Sequence, residues 1–174
     1  MVEKVKLEQF IRDIPDWPIK GVLFRDITPL LANTVAFKHS LDLMVTPFTD
    51  REIDCVAAVE ARGFIFGSAI AAKLGVGFVP IRKKGKLPFK TTSISYDLEY
   101  GVDTLEIHSD ALRKEEKVLL VDDLLATGGT MAAAAKLVEK LGGEVVGLSF
   151  LIELGFLGGR GKLSGYDMHT VISY

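Results

Sequence analysis

Four short apolar runs separated by helical patterns constrain the fold of this chain more than any other feature. The runs are CVAAVE (55–60), GFVPIRK (77–83), KVLLVDD (117–123) and EVVGLSFLIE (144–153). Continuous runs rich in β-branched residues are typical of strands that are buried on both faces, and intervening helices join such strands in parallel. The sequence therefore predicts an α/β fold with a doubly wound, mostly parallel sheet flanked by helices.

The segments around these runs carry the spacing and the end signals of helices. The predicted helices are VEKVKLEQFIRDI (2–14), NTVAFKHSLDLMVTPF (33–48), RGFIFGSAIAAKLG (62–75) and residues 130–141. We expect Asn33 or Thr34 to cap the second helix and Gly75 to end the third, since these residue types are preferred at those positions.

One segment departs from the alternation of strand and helix. TTSISYDLEYGVDTLEIH (91–108) contains two β-like stretches joined around EYG, and the basic, turn-rich RKKGKLP (82–88) precedes it. We predict a hairpin flap over residues 85–108 that projects from the sheet. An edge hairpin without a role is the alternative, but a polar and aromatic tip beside a cationic stretch favours a flexible lid.

Composition limits the classes of function. The chain has 174 residues, of which 48% are hydrophobic and 25% charged, so we expect a single soluble domain over residues 1–174. The net charge is −2 and RKKGK (82–86) is the one dense basic cluster, which disfavours nucleic-acid binding. No apolar run reaches the ~18 residues of a membrane span or resembles a signal peptide, so we expect a cytoplasmic protein without a membrane partner.

The stretch from Lys117 to Gly143 combines two opposed chemistries. Asp122 and Asp123 end an apolar run, and Thr-Gly-Gly-Thr (127–130) then opens an alanine-rich helix. A glycine-rich turn at a helix start binds phosphate through backbone N–H groups, whereas carboxylates repel phosphate and suit vicinal hydroxyls or a divalent metal. A sugar phosphate offers both groups. An acidic strand end before a capped helix would explain one carboxylate and one glycine, but not the whole series.

Other phosphate and metal motifs are absent from the sequence. The pairs Gly85-Lys86 and Gly161-Lys162 precede leucine rather than serine or threonine, which excludes a Walker A loop. The three histidines have no metal-ligand spacing, so we predict no metal site made by protein side chains alone.

The motifs together resemble those of a known family. VLLVDDLLATGGT (118–130) resembles the 5-phosphoribosyl 1-diphosphate signature of the type I phosphoribosyltransferases. Four more segments are similar to those of the adenine phosphoribosyltransferases within that family, namely GVLFRDITPLL (21–31), VEARGFIFG (59–67), IRKKGKLP (81–88) and SYDLEYG (95–101). Xanthine phosphoribosyltransferases and a related purine-sensing repressor share the Asp-Asp loop but typically lack LEYG.

The resemblance implies a fold, a reaction and partners. The fold is that of the type I phosphoribosyltransferases, with a helix and a small base-binding hood over residues 1–33 and the phosphoribosyl-diphosphate loop and helix over 117–143. The implied reaction converts adenine and 5-phosphoribosyl 1-diphosphate to AMP and diphosphate in purine salvage. Mg²⁺ is the implied cofactor, bound mainly by the diphosphate and ribose hydroxyls of the substrate, and a homodimer is the implied assembly.

The resemblance also assigns the sugar-diphosphate site. Residues 126–130 would cradle the 5′-phosphate, the two aspartates would hold the ribose hydroxyls, and the EARG segment and the basic cluster would bind diphosphate. The family commonly has a cis peptide in EARG, here Glu60–Ala61. The complete set is Glu60, Ala61, Arg62, Arg82, Lys83, Lys86, Asp122, Asp123, Ala126, Thr127, Gly128, Gly129 and Thr130.

Base binding and catalysis fall to other residues. The resemblance assigns adenine to Leu23, Phe24, Arg25, Leu124 and Leu154, with the phenylalanine stacking on the purine and the backbone on either side of it reading the edge; a plain core role for Phe24 is the alternative. The implied catalytic residues are Glu99, Tyr100 and Arg62: Glu99 in proton transfer near N7, Tyr100 packing over the reacting groups, and Arg62 on diphosphate.

Two alternatives to this function stay open. The first is a phosphoribosyltransferase for another purine base. The second is a regulator that senses purines or phosphoribosyl diphosphate without catalysis; such regulators usually carry a DNA-binding domain, for which we expect no room in 174 residues.

Overall fold

The computed structural model describes residues 5–97 and 101–174. The chain forms two compact units, of which the first ends at Leu43 and the second spans Met44–Tyr174. Within the described ranges, no helix is long and apolar enough to cross a membrane.

The first unit differs from the helix predicted over residues 2–14. Its described part contains a 3₁₀ turn (Leu7–Phe10), strand β1 (Arg12–Pro15), strand β2 (Leu23–Asp26) and the short helix α1 (Thr28–Ala32). The prediction is wrong from Val5, the first described residue, onward, and β1 pairs antiparallel with β2, with Ile14 opposite Phe24. A short amphipathic helix is only marginally stable alone, and the two prolines that follow limit its extension.

Helix α2 (Thr34–Val45) begins where the sequence predicts. The Asn33 side-chain oxygen accepts hydrogen bonds from the N–H groups of Val35 and Ala36, at 3.1 and 2.9 Å. Of the two predicted caps, Asn33 is therefore the one that the structure uses.

The second unit is built on a seven-stranded sheet in the order β5-β6-β4-β3-β7-β8-β9. Its strands are β3 (Cys55–Val59), β4 (Gly77–Lys83), β5 (Thr91–Asp97), β6 (Val102–His108), β7 (Lys117–Leu125), β8 (Glu144–Glu153) and β9 (Met168–Ser173). The strands β4-β3-β7-β8-β9 pair in parallel, and β5 and β6 are antiparallel. The predicted α/β class and mostly parallel sheet are confirmed.

Two helices cover opposite faces of this sheet. A Cβ atom added to Gly67 of helix α3 (Arg62–Leu74) would lie 2.6 Å from the Ala58 Cβ, so α3 packs closely on that face of β3. The adjacent Ala57 belongs to the core cluster that holds Ala134 and Leu137 of helix α4 (Gly129–Lys140). Since successive strand residues point to opposite faces, α3 and α4 lie on different sides.

The structure contains strand residues that the sequence analysis did not predict. Strand β7 continues two residues past the predicted end, because Leu124 and Leu125 pair with Ile152 and Glu153. Strand β9 was not predicted, since its Met-His-Thr-Val-Ile-Ser sequence has no continuous apolar run.

The hairpin predicted within residues 91–108 is confirmed for its two strands. Strands β5 and β6 pair from Thr91 opposite His108 to Asp97 opposite Val102. Its base joins the main sheet, since Arg82 and Lys83 of β4 pair with Glu106 and Leu105.

The packing around Gly147 in β8 leaves no room for a side chain at this position. The pairing of β7 with β8 shifts between Val118 and Leu119, so a bulge lies beside this glycine. A Cβ atom there would lie 2.8 Å from the Cδ1 atom of Phe48, which is 1% exposed. We expect Gly147→Ala to lower the free energy of unfolding in urea by about 1–3 kcal/mol through overpacking.

The matched control for this substitution is Gly77→Ala in β4. A Cβ atom at Gly77 would find its nearest neighbour at 3.9 Å, in Cys55. Its free energy of unfolding should stay within about 0.5 kcal/mol of the wild type. Equal stability of the two variants would contradict the packing described for Gly147.

Candidate active site

The phosphate-binding sequence predicted at residues 126–130 forms the turn after β7 and the first two residues of α4. Gly128 is the N-cap residue of α4 and has a φ of 78°, a conformation that glycine adopts without steric cost. Because this cap has no side chain, it leaves the first-turn N–H groups available to an anion. The residues that form the predicted cradle all line one cavity of about 470 Å³: Ala126, Thr127, Gly128, Gly129 and Thr130.

A second glycine turn, at Gly158 and Gly159, contacts the backbone of this cradle. A Cβ atom added to Gly128 would lie 3.1 Å from the carbonyl carbon of Gly159, and one added to Gly159 would lie 3.1 Å from the Gly128 nitrogen. Two backbones can approach this closely only where neither residue has a side chain. The Gly159 turn therefore limits how far the cradle can move away from the cavity.

The predicted carboxylate pair lies at the same cavity. Asp122 and Asp123 line it from the carboxyl end of β7, and Asp123 is only 5% exposed. The Asp123 N–H donates a hydrogen bond of 2.9 Å to the Asp122 carboxylate. Burial raises the pKa of Asp122 well above its usual value, and the neighbouring charge of Asp123 raises it further.

Arg62 and Gly63 hold this pair from the start of α3. The Arg62 Nε lies 2.9 Å from the Asp123 Oδ2, and a Cβ atom on Gly63 would lie 2.7 Å from the Asp122 Oδ1. Burial raises the pKa of Asp123, although the charge of Arg62 opposes that rise. The glycine allows close approach, and the arginine balances part of the buried negative charge.

The segment 60–62 reaches the cavity between β3 and α3. The Glu60–Ala61 peptide bond is cis, as the resemblance implied, and Glu60, Ala61 and Arg62 all line the cavity. The Glu60 carboxylate accepts hydrogen bonds from the Lys83 N–H at 2.6 Å and from Arg82 at 3.1 Å. Burial alone raises the pKa of Glu60, but these two donors outweigh it and the pKa lies below its usual value.

The basic cluster divides into residues with different surroundings. Lys83 lines the cavity, whereas Arg82 and Lys86 are not among its described lining residues. Arg82 Nη1 donates to the Lys86 carbonyl at 3.1 Å and Nη2 to Glu60. Through these two hydrogen bonds, Arg82 connects the loop after β4 to Glu60.

Three residues of the hairpin also line the cavity, and sequence reasoning missed all of them: Tyr96, Asp103 and Leu105. Asp103 forms an ion pair of 3.1 Å with Lys83, and its hydrogen bond raises the pKa of that lysine. The Tyr96 hydroxyl lies 3.2 Å from the Thr130 Oγ1 and 3.5 Å from Asp103. Strand alternation was the available signal, because Ile94 and Tyr96 both pack on the core.

The residues predicted to bind a base are not all part of this cavity. Leu124 lines it, whereas Leu154, which follows β8, is not among the described lining residues. Leu23, Phe24 and Arg25 lie on β2 of the first unit. There the Phe24 ring packs edge-on against Trp17, with centroids 4.4 Å apart, and Arg25 forms an ion pair with Asp13. The predicted catalytic residues Glu99 and Tyr100 lie outside the described residues.

Comparison with known proteins gives one consistent family. The model of the phosphoribosyl transferase domain matches residues 31–167. An adenine phosphoribosyltransferase of Thermotoga maritima is 60% identical over 171 residues, which cover 98% of this chain and 99% of that protein.

Two solved structures are similar to the chain. The crystal structure of adenine phosphoribosyltransferase from Thermoanaerobacter pseudethanolicus has a TM-score of 0.94 and 54% identity, with 97% of this chain and 98% of that one covered. The enzyme from Saccharomyces cerevisiae, complexed with an imino-altritol bisphosphate and adenine, has a TM-score of 0.90 and 40% identity, with coverage of 95% and 96%.

The pKa of Asp122 is raised and that of Asp103 is lowered, so replacing each of them with asparagine should change the stability of the protein in opposite directions. A group whose folded-state pKa is raised stabilises the fold below its unfolded pKa and loses that contribution as the pH rises. Because burial raises the pKa of Asp122 above 3.8, Asp122→Asn should increase the free energy of unfolding at pH 7, with a gain that shrinks toward pH 4. Urea unfolding from pH 4 to pH 8 measures this.

Asp103→Asn is the matched control with the opposite sign. Burial alone raises the pKa of Asp103, but the Thr104 N–H and the Lys83 ammonium outweigh it and the pKa falls below 3.8. A lowered pKa contributes stability above the unfolded value, so Asp103→Asn should destabilise the protein at pH 7 and lose this effect at acid pH. A pH-independent loss of stability in Asp122→Asn would contradict the burial of its charge.

Proposed function

Because the chain belongs to the phosphoribosyltransferase family and, within it, to the adenine phosphoribosyltransferases, we propose that it converts adenine and 5-phosphoribosyl 1-diphosphate to AMP and diphosphate. The family predicted from the sequence motifs is confirmed. The observation that carries the proposed reaction is the meeting of a glycine-rich anion cradle and two adjacent carboxylates, of which Asp123 is buried, in one cavity.

The two halves of the cavity suit the two ends of the sugar. Residues 126–130 bind the 5′-phosphate through backbone N–H groups and threonine hydroxyls. Asp122 and Asp123 accept hydrogen bonds from the ribose 2′- and 3′-hydroxyls. Burial removes water from the two carboxylates, and the ribose hydroxyls replace it as hydrogen-bond donors. Binding of the diol therefore lowers the raised pKa values of Asp122 and Asp123.

The leaving diphosphate faces the cationic side of the cavity. Breaking the bond between C1′ and diphosphate leaves negative charge on diphosphate and positive charge on the ribose, and adenine N9 forms the new bond at C1′. Arg62, Lys83 and the backbone of residues 60–62 are placed to stabilise the negative charge where it develops. Arg62 also contacts Asp123, which links diphosphate binding to the position of the diol site.

Mg²⁺ fits this site beside the substrate, because the Asp122 and Asp123 carboxylates line the cavity and are ligands of the type that Mg²⁺ prefers. The described residues contain no group of three His, Cys, Asp or Glu side chains placed to bind a metal. When bound, Mg²⁺ neutralises charge on the diphosphate. Oxygen atoms of the substrate's diphosphate and ribose hydroxyls would supply most of its ligands, next to the Asp122 and Asp123 carboxylates.

Adenine recognition and proton transfer rest on the family resemblance. The backbone of Leu23 and Arg25 reads the base edge, Phe24 stacks on the ring, and Leu124 and Leu154 contact the base. Glu99 hydrogen-bonds near N7 and assists proton transfer, while Tyr100 packs over the reacting groups. The hairpin covers the site before the bond breaks, which keeps water from the electrophilic C1′. The enzyme acts as a cytoplasmic homodimer.

A panel of purine bases tests the proposed substrate. Adenine has a 6-amino donor beside an N1 acceptor, whereas hypoxanthine and guanine have the opposite polarity at these positions. Two mismatched groups should lower kcat/KM for the 6-oxopurines by roughly 10²- to 10⁴-fold. The measurement is kcat/KM for each base with 5-phosphoribosyl 1-diphosphate. Efficient use of hypoxanthine or guanine would indicate a phosphoribosyltransferase for another purine, and no turnover would indicate a regulator.

Two variants of the first unit separate edge reading from stacking. Arg25→Ala should retain the preference for adenine, because backbone atoms read the edge and the Arg25 guanidinium pairs with Asp13. Phe24→Ala should weaken all purines similarly, because stacking does not sense edge polarity. Loss of discrimination in Arg25→Ala alone would contradict backbone reading while leaving the enzyme class intact.

Glu99→Gln tests the role proposed for the hairpin tip. If Glu99 assists proton transfer, its removal should lower kcat by ~10²- to 10⁴-fold while the KM for adenine changes little, since this help is needed mainly in the transition state. Separate kcat and KM values for adenine decide the question. A loss of less than about tenfold in kcat would limit Glu99 to positioning.

A further inference from the structure

The last residue of β8 has a buried carboxylate for which the proposed reaction has no role. Glu153 is 6% exposed, and Arg160 donates to it twice, from Nε to Oε1 and from Nη2 to Oε2, both at 2.7 Å. The Thr170 hydroxyl donates to Oε2 at 3.0 Å. The hydrogen bonds from Arg160 lower the pKa of Glu153, so the carboxylate is charged at neutral pH, and both of its oxygen atoms accept hydrogen bonds from protein donors. Its partner is Arg160 rather than a ligand.

Arg160 directly follows the glycine turn that lies behind the phosphate cradle. A Cβ atom on Gly159 would overlap the Ala126 carbonyl oxygen and would lie 3.0 Å from the Leu125 Cδ1. Bidentate pairing fixes an arginine in both distance and orientation. The ion pair with Glu153 therefore fixes the backbone beside Gly159 relative to the end of β8.

The same strand end also holds the start of the cradle. Leu125 pairs with Glu153 across β7 and β8, and the Leu154 N–H donates to the Leu125 carbonyl at 2.9 Å. The hydrogen bond to Leu125 thus fixes the start of the cradle, and Gly159 contacts the cradle at Ala126 and Gly128. Since its cap residue Gly128 has no side chain to fix the turn, these backbone contacts set its conformation.

We propose that Glu153 and Arg160 are positioning residues for the 5′-phosphate cradle. Their ion pair holds Gly159 against residues 126–128, so that the cradle N–H groups stay aimed at the phosphate before it binds. The role rests on the proposed function, because it concerns the affinity for the sugar phosphate. It assigns neither residue any contact with substrate.

Two conservative variants test the ion pair. Glu153→Gln keeps the shape but loses the charge, and Arg160→Lys keeps the charge but cannot form two parallel hydrogen bonds. Calorimetry with ribose 5-phosphate should give a dissociation constant about tenfold or more above the wild-type value, because a displaced cradle loses aligned donors. The KM for adenine at saturating 5-phosphoribosyl 1-diphosphate should stay within about twofold, since adenine does not touch the cradle.

Arg51→Ala is the matched control for loss of an anchored arginine. Arg51 donates to the Val146 carbonyl at 2.6 Å and pairs with Asp167, so it ties the opposite end of β8 to the residue before β9. Thermal unfolding should show a loss of stability in this variant, whereas its affinity for ribose 5-phosphate should equal that of the wild type. The comparison separates general destabilisation from displacement of the cradle.

Gly159→Ala tests the backbone contact itself and leaves the ion pair in place. Its added methyl group meets the Ala126 carbonyl, whereas a methyl group at Gly161 meets nothing within 4 Å. We expect Gly159→Ala to weaken ribose 5-phosphate about tenfold or more and Gly161→Ala to bind normally. This pair remains decisive even if the Arg160 variant does not fold.

Two results would overturn the proposal. The first is wild-type affinity for ribose 5-phosphate in Glu153→Gln and Gly159→Ala, with thermal stability reduced as in Arg51→Ala. The second is an equal loss of affinity for ribose 5-phosphate and adenine in these variants, which would indicate general damage. If the wild type neither binds ribose 5-phosphate nor forms AMP, the proposed function fails first, and the positioning role fails with it.

Discussion

The parallel pairing of β7 between β3 and β8 is the constraint on which the rest of the site depends. It brings the carboxyl ends of three strands to one edge of the sheet, where ligands bind in folds of this class. Each strand end supplies a different function: residues 60–62 supply backbone and a cation, Asp122 and Asp123 supply acceptors, and Glu153 supplies a structural anchor. A one-residue slip in either pairing would turn these side chains to the opposite faces.

The site combines groups that favour folding with groups that oppose it. The pKa of Asp122 is raised by burial, so its charge costs folding free energy until a ligand supplies hydrogen bonds. The carboxylates of Glu60 and Glu153 have lowered pKa values because protein donors surround them. Under the proposed function, a raised pKa marks the carboxylates that bind the ligand, and a lowered pKa marks those that hold the backbone around it.

Local sequence determined much of the fold and the centre of the site. Strands β3, β4 and β8 could be predicted because their apolar runs are continuous, and the cradle could be predicted because strand end, turn and helix start are adjacent in the chain. The N-terminal helix prediction was wrong because β1 pairs with β2, the next strand of the chain, and this pairing overrode a local amphipathic pattern. Tyr96, Asp103 and the contact of Gly159 with Gly128 depend on register and tertiary packing, which sequence spacing alone does not specify.

A crystal structure of the protein with AMP tests the central claim most directly. The account predicts that the 5′-phosphate lies in the cradle of residues 126–130, with its oxygen atoms within hydrogen-bonding distance of the cradle N–H groups. It also predicts that both ribose hydroxyls donate to Asp122 and Asp123. A phosphate bound outside this cradle, or a ribose whose hydroxyls do not meet the two aspartates, would contradict the proposal that this sheet edge binds the phosphoribosyl group.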